Sequence, residues 1–213
     1  VFDSATQAAH AAARRVADAV RANPALVLGL ATGRTQVPVY EALRRMYAAR
    51  DVDFGSARTF NLDEFTGLDG SHAGSFRRFM EAHLFGPVNI DRARIGFLDG
   101  MAQDPDAECA RYEAAIEDAG GLDLQLLGIG ANGHIGFNGP GETLASRTHR
   151  VTLHEVTRRE NASLFGGDSA RVPREALSMG MGTILKATTL VLVAFGGQKA
   201  HCIERAVNGP LTT

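Results

Sequence analysis

The 213-residue sequence has no tryptophan, only two cysteines and no apolar run long enough to cross a bilayer. Cys109 and Cys202 stand far apart, without metal-ligand or redox spacing, so we predict two reduced thiols in a cytoplasmic protein. A basic excess is also missing, because 22 Lys and Arg face 24 Asp and Glu. This balance argues against a nucleic-acid or anionic-membrane partner. No signal-peptide pattern opens the chain, since charged residues interrupt its first twenty positions.

Strand-like and helix-like segments alternate along the chain. Residues 25–31 and 122–127 are short, continuous apolar runs, which are typical of strands buried on both faces. Their alternation with helical segments predicts right-handed crossovers and a mostly parallel sheet. We therefore predict one α/β domain over residues 1–213, doubly wound and Rossmann-like, with helices on both faces of the sheet. In such a fold, ligands bind at the carboxyl ends of the strands.

Two of the turns that follow predicted strands have residues suited to an anion. Thr32, Gly33, Arg34 and Thr35 lead into a helix and offer close backbone approach, hydroxyls and a guanidinium. Lys199, which opens a later helix, supplies a second cation. The chain has no P-loop motif. The alternatives are an ordinary capped turn for the first segment and a solvated lysine for the second.

A pair of carboxylates, Asp63 and Glu64, ends another predicted strand. Strand alternation sends the two side chains to opposite sides, so only one of them faces a given cleft. A shielded carboxylate beside another has a raised pKa and suits a general base. Spacing alone nevertheless favours the simpler interpretation, a solvated pair that caps the next turn.

A glycine-rich segment, residues 128–141, follows the strand over 122–127. Its first six residues match the dinucleotide fingerprint, but the glycines and proline that follow forbid the helix that this fingerprint must open. Arg150 also occupies the region where a ribose-binding acid is required. We therefore reject a nicotinamide site. What remains is one imidazole, His134, near the amides of Asn132 and Asn138, and we predict that it is functional.

Together these motifs resemble those of the glucosamine-6-phosphate deaminase family. The matching segments, in chain order, are LGLATGRT at 28–35, TFNLDEF at 59–65, LGIGANGHIGFN at 127–138, SRT at 146–148 and GQKA at 197–200. The resemblance implies an enzyme, classed here as a hydrolase, that converts glucosamine 6-phosphate to fructose 6-phosphate and ammonia. It implies no metal and no cofactor. It also implies that the chain lacks part of the first strand and a C-terminal strand and helix of the family.

The resemblance assigns a role to individual residues. Asp63 would move a proton between C2 and C1 of the sugar. His134, oriented by Asn132, would assist opening of the pyranose ring. The groups that would hold the phosphate are Thr32, Gly33, Thr35 and Lys199. Nothing in the residues indicates the oligomeric state.

Three positions depart from the family's pattern. Gly139 stands where the family has a glutamate that partners the histidine, and Glu142 is the candidate substitute acid or base. Ser163 stands where the family has a phosphate-binding arginine. Arg34 replaces a small residue, and its guanidinium would supply the phosphate contact that Ser163 cannot make.

Two alternatives to the deaminase remain open. One is a hydrolase similar to 6-phosphogluconolactonase, built on a similar sheet. The other is a non-catalytic sugar-phosphate sensor, which Gly139 favours because the position lacks the family's carboxylate.

Overall fold

The computed structural model describes residues 1–141 and 144–210. Its strands, numbered along the chain, are β1 (Val27–Leu30), β2 (Arg58–Asn61), β3 (Asp63–Phe65), β4 (Ile95–Gly96), β5 (Leu124–Leu127), β6 (His149–Thr152), β7 (Glu175–Ser178) and β8 (Thr189–Leu192). Five of them form a parallel central sheet in the order β4-β2-β1-β5-β8. This mostly parallel α/β architecture confirms the predicted fold class.

Helices cover both faces of the central sheet. The α-helices of the described residues are α1 (Ala5–Ala22), α2 (Val37–Ala48), α3 (Phe76–Met80), α4 (Pro105–Asp118), α5 (Glu155–Asn161), α6 (Met181–Leu185) and α7 (Ala200–Asn208). Leu28 and Leu30 of β1 join the core that contains α1 and α2. Val27 joins the opposite core, with residues of α4 and α6. The apolar run predicted to be buried on both faces is therefore buried in this way, by strict alternation along the strand.

A second, antiparallel sheet was not predicted from the sequence. It has the order β3-β7-β6, with Asp63 opposite Ser178 and His149 opposite the same serine. The prediction of a single, mostly parallel sheet assumed that all strands separated by helices belong to that sheet. Half-buried and exposed positions alternate along β6, as in a strand with one solvated face.

Strand β4 covers only Ile95–Gly96, and Val1 and Phe2 lie in no strand. Helix α3 continues as a π-helical turn over Glu81–Phe85. Across residues 1–141 and 144–210, no helix is both long and apolar enough to span a membrane.

Candidate active site

Four chain segments reach the same edge of the central sheet. The turn after β1, the start of β3 after β2, the glycine-rich segment after β5 and the segment before α7 all follow carboxyl ends of parallel strands that neighbour one another in the order β2-β1-β5-β8. This topology brings the predicted phosphate-binding turn, Asp63, His134 and Lys199 to one edge.

Asp63 is a buried carboxylate at the junction of the two sheets. Only 6% of its surface is exposed, and its Oδ1 has no hydrogen-bond partner among the described residues. Burial raises the pKa of Asp63 to about 8, and the neighbouring charge of Glu64 adds to the shift. A carboxyl group with this pKa suits reversible proton transfer near neutral pH.

The side chain of Glu64 points to the opposite side of the strand from that of Asp63, and its role is structural. Its carboxylate accepts hydrogen bonds from Ser75 Oγ at 2.7 Å and from the backbone N–H groups of Phe65, Phe76 and Arg77 at 2.9–3.0 Å. It therefore binds the N-terminal amides of α3. The interpretation of Asp63 and Glu64 as a solvated pair was wrong, because Glu64 is 1% exposed. The Glu64 side chain does, however, cap the next helix, as that interpretation expected. Burial raises the pKa of Glu64, and these hydrogen bonds oppose the rise.

We expect Glu64→Gln to lower the free energy of unfolding by about 2 kcal/mol, because the new amide would direct a donor at backbone donors. Urea denaturation at pH 7 measures this loss. The matched control is Glu41→Gln, which removes an exposed ion pair with Arg45 and should cost less than about 0.5 kcal/mol. Equal midpoints for the two variants would contradict the capping role.

The glycine-rich segment lies against Asp63 without forming a helix, which agrees with the rejection of a nicotinamide site. Gly136 has φ +59°, and a Cβ at this position would lie 3.3 Å from Ser178 Oγ and 3.4 Å from Asp63 Oδ2. The backbone N–H of Phe137 donates to Ser178 Oγ at 3.2 Å. Asn138 Nδ2 donates to the carbonyls of Ile135 and Met179, at 2.9 Å each. These contacts hold the segment against β7.

Ser178 is a site residue that the sequence reasoning missed. It pairs with Asp63 across the antiparallel sheet and accepts the hydrogen bond from the glycine-rich segment. No sequence motif marks it, because its place depends on strand register between β3 and β7, 115 positions apart in the printed sequence.

His134 is held in one orientation by Asn132. Its Nδ1 lies 2.6 Å from Asn132 Oδ1, and its backbone N–H donates to the same oxygen at 3.2 Å. Because that oxygen accepts both contacts, Nδ1 carries the proton and Nε2 is left as the acceptor. Burial lowers the pKa of His134, and the nearby Lys199 ammonium lowers it further, while the Glu160 carboxylate opposes both. A neutral imidazole with an available Nε2 suits general acid–base chemistry.

The candidate phosphate-binding residues lie in two turns of this edge. Gly33 has φ +108°, a conformation that favours glycine and opens the turn before α2. Gln36 follows this turn and is fully buried near Gly128, where the glycine-rich segment begins. Lys199 ends a 3₁₀ turn just before α7, and Cys202 Sγ contacts the Gly130 carbonyl at 3.5 Å. Both turns therefore adjoin the segment that carries His134.

Nearly the whole chain matches one family model. The model describes glucosamine-6-phosphate isomerases and 6-phosphogluconolactonase, and it covers residues 2–212. The chain belongs to this family.

The curated relatives are named as glucosamine-6-phosphate deaminases, whereas the similar solved structures include both activities that the family model names. A glucosamine-6-phosphate deaminase of Giardia intestinalis is 46% identical over 94% of this chain and 76% of its own. One from Clostridium perfringens is 46% identical over 95% of this chain and 83% of its own. A solved monomeric glucosamine-6-phosphate deaminase is 38% identical, with a TM-score of 0.95 over 99% of this chain and 87% of that one. A 6-phosphogluconolactonase of Thermotoga maritima has a TM-score of 0.74 at 17% identity, which shows a shared fold alone.

These findings confirm the predicted family resemblance and correct the class of enzyme expected from it. The relatives are named as deaminases, so deaminase/isomerase replaces hydrolase as the description of the expected activity. Gly139 is exposed, and a Cβ there would meet no described atom within 4 Å. Glu142, the predicted substitute, lies outside the described residues. The exchange of roles between Arg34 and Ser163 stays a prediction.

Proposed function

We propose that this protein is a glucosamine-6-phosphate deaminase, which converts glucosamine 6-phosphate and water to fructose 6-phosphate and ammonia. The observation that best supports this proposal is a buried carboxylate, Asp63, packed against the segment that presents a neutral, oriented His134. The relatives at 46% identity support the same substrate. We further place the enzyme in the cytoplasm, acting on a small molecule and not on nucleic acid.

The two titratable groups divide the proton transfers. His134 Nε2 takes the proton of the C1 hydroxyl and delivers it to the ring oxygen as the bond between that oxygen and C1 breaks, which opens the pyranose to the C1 aldehyde. Asp63 then removes the C2 proton and returns it to C1, while a proton passes from the C2 amine to the C1 oxygen, so that the C1 aldehyde becomes a hydroxymethyl group and the C2 amine becomes an imine. Water hydrolyses this imine, leaving the ketone and releasing ammonia. A carboxylate with a pKa of about 8 is well matched to receive and return a carbon-bound proton.

The phosphate group provides binding energy remote from the reacting carbons. Thr32, Gly33 and Thr35 offer hydroxyl and backbone donors, and Lys199 offers a positive charge. Arg34 adds a guanidinium to the same turn. This anchoring would place C1 and C2 beside Asp63.

Parallel incubations test the proposal against the lactonase alternative. Purified protein is incubated with glucosamine 6-phosphate and, separately, with 6-phosphoglucono-δ-lactone. The proposal predicts equimolar ammonia and fructose 6-phosphate from the first and no acceleration of hydrolysis of the second. Lactone hydrolysis without ammonia release would overturn it. Tight sugar-phosphate binding without any turnover would instead support the sensor.

Gly139→Glu is expected to raise kcat about tenfold, because it adds an acid–base carboxylate to the segment that carries His134. The position is open, since a Cβ there meets no described atom within 4 Å. Steady-state kinetics with glucosamine 6-phosphate measures the gain, and Gly139→Gln is the uncharged control. Identical kcat values for the parent and both variants would show that turnover is not limited by this missing group.

A further inference from the structure

We propose that Ser178 of β7 is a positioning residue, which holds the turn over residues 135–138 as a cover on Asp63 and thereby fixes Asp63 relative to His134. The inference rests on the proposed function for its kinetic consequence and on the contacts of the fold for its geometry. The Ser178 hydroxyl acts on the turn, and the turn acts on Asp63.

Residues 135–138 form a closed turn directly after His134. The backbone N–H of Ile135 donates to the Asn138 carbonyl, and the N–H of Asn138 donates back to the Ile135 carbonyl, both at 3.1 Å. Gly136, with φ +59°, stands at the first corner, where glycine is favoured. Because the two hydrogen bonds are reciprocal, the turn is a unit, and a displacement of its tip is passed on to His134.

The tip of this turn lies against the Asp63 carboxylate. A Cβ on Gly136 would lie 3.4 Å from Asp63 Oδ2 and 3.3 Å from Ser178 Oγ, so both side chains border the same glycine. The ring of Phe137 packs 5.5 Å from that of Phe65, which follows Asp63 on β3 by two residues. The turn therefore shields the carboxylate from water, and this burial is the main cause of its raised pKa.

The hydroxyl of Ser178 fixes the tip of the turn. Its Oγ accepts a hydrogen bond from the backbone N–H of Phe137 at 3.2 Å, one residue beyond Gly136. Leaving this N–H without a protein partner would favour a shift of the tip towards water. The Asn138 side chain donates to the Met179 carbonyl at 2.9 Å and holds the end of the turn, and a change at Ser178 leaves this second bond in place.

Ser178 is itself firmly held. It is fully buried and faces Asp63 across the antiparallel pair of β3 and β7. The next residue, Met179, donates its N–H to the carbonyl of Leu62 at 2.7 Å, directly before Asp63. The hydroxyl therefore ties the segment of His134 to the pair of strands that carries Asp63.

The other titratable groups around Asp63 are held by separate contacts. Glu64, whose charge raises the pKa of Asp63, is bound to the first amides of α3. The charge of Asp63 acts on Tyr40 of α2 and Tyr112 of α4, whose pKa values are raised mainly by burial, so both tyrosines stay neutral where Asp63 titrates. A change in the Asp63 titration on loss of the Ser178 hydroxyl thus reports the state of the turn.

The kinetic test compares Ser178→Ala with Ser75→Ala. Ser75 is also buried, and its Oγ also accepts a backbone N–H, that of Arg77 at 3.1 Å, but at the start of α3. Both variants should therefore lose similar stability in urea. At pH 9, where Asp63 is largely ionised, we expect Ser178→Ala to lower kcat about tenfold and to change KM by less than about twofold, because the phosphate-binding turns are untouched. Ser75→Ala, and Ser178→Thr, which keeps the hydroxyl, should retain the parent kcat.

Two further measurements need no substrate. Amide hydrogen exchange followed by NMR should show the Phe137 N–H protected in the parent protein and exchanging at least about tenfold faster in Ser178→Ala. The carbon-13 titration midpoint of the Asp63 carboxyl should fall by about one pH unit in this variant, because water then reaches the carboxylate. A methyl group in place of the hydroxyl would by itself make the surroundings less polar and raise this pKa, so the direction of the shift separates the two effects.

Each outcome decides the proposal. An unprotected Phe137 amide in the parent protein would overturn it, even if Ser178→Ala fails to fold. An Asp63 midpoint that is unchanged or raised in Ser178→Ala, equal losses of kcat in the two alanine variants, or a Ser178→Thr variant as slow as Ser178→Ala would also overturn it. Failure of the parent protein to release ammonia from glucosamine 6-phosphate would contradict the proposed function, while the exchange and the titration would still decide whether Ser178 holds the turn on Asp63.

Discussion

Asp63→Asn is expected to lower kcat for glucosamine 6-phosphate by a factor of about 10² to 10⁴, the usual cost of losing a general base. Asparagine has nearly the same shape but cannot accept a proton from carbon. The backbone pairing of position 63 with Ser178 does not involve the side chain, so the local fold should persist. Steady-state assays with the purified variant measure the loss. Asp118→Asn, an exposed change at the end of α4, is the control and should leave kcat unchanged.

The same variant is expected to be more stable than the parent protein at pH 8. The folded-state pKa of Asp63, about 8, lies above its usual value of 3.8. Between pH 3.8 and pH 8 the Asp63 carboxyl is ionised in the unfolded chain but still protonated in the folded one. The free energy of unfolding therefore falls as pH rises through this range. We expect a gain of about 2 kcal/mol for Asp63→Asn at pH 8, shrinking towards pH 4. A variant that is inactive and also less stable at pH 8 would indicate structural damage instead of a lost base.

The second large effect is the pH dependence of kcat/KM, which reports ionisations of the free enzyme. Because Asp63 acts as a base, only its ionised form is active. Activity should therefore rise with a midpoint near pH 8 and fall about tenfold for each pH unit well below it, so that kcat/KM at pH 6 is about a hundredth of its maximum.

The ionisations of the substrate phosphate and of His134 can be distinguished from that of Asp63. The substrate phosphate titrates near pH 6, about two units lower. His134 has a pKa lowered by burial, so it is already neutral where Asp63 ionises. A profile that is flat from pH 6 to 9, or one with its midpoint near 4, would contradict the role of Asp63 as a buried base.

The sequence predicted the parts of this site that local motifs encode. Continuous apolar runs identified β1 and β5, and the parallel topology then placed the residues after them at one edge. It could not predict the burial of Asp63, because burial depends on packing between β3, β7 and the glycine-rich segment. For the same reason Glu64 was interpreted as solvated.

Ser178, which is distant along the chain, was missed for a different physical reason. It reaches Asp63 only through antiparallel strand register, and this relation leaves no spacing pattern in the sequence. The resemblance to the family carried the assignment of Asp63, which spacing alone had opposed.

The most direct test of the account is the titration of Asp63 itself. Carbon-13 NMR of the aspartate side-chain carboxyls, with the Asp63 signal identified by its absence in Asp63→Asn, follows its ionisation without any substrate. We expect a midpoint of about 8 for this signal. A midpoint near 4, the ordinary value of an exposed aspartate, would contradict the central claim that burial beside Glu64 prepares Asp63 as the base.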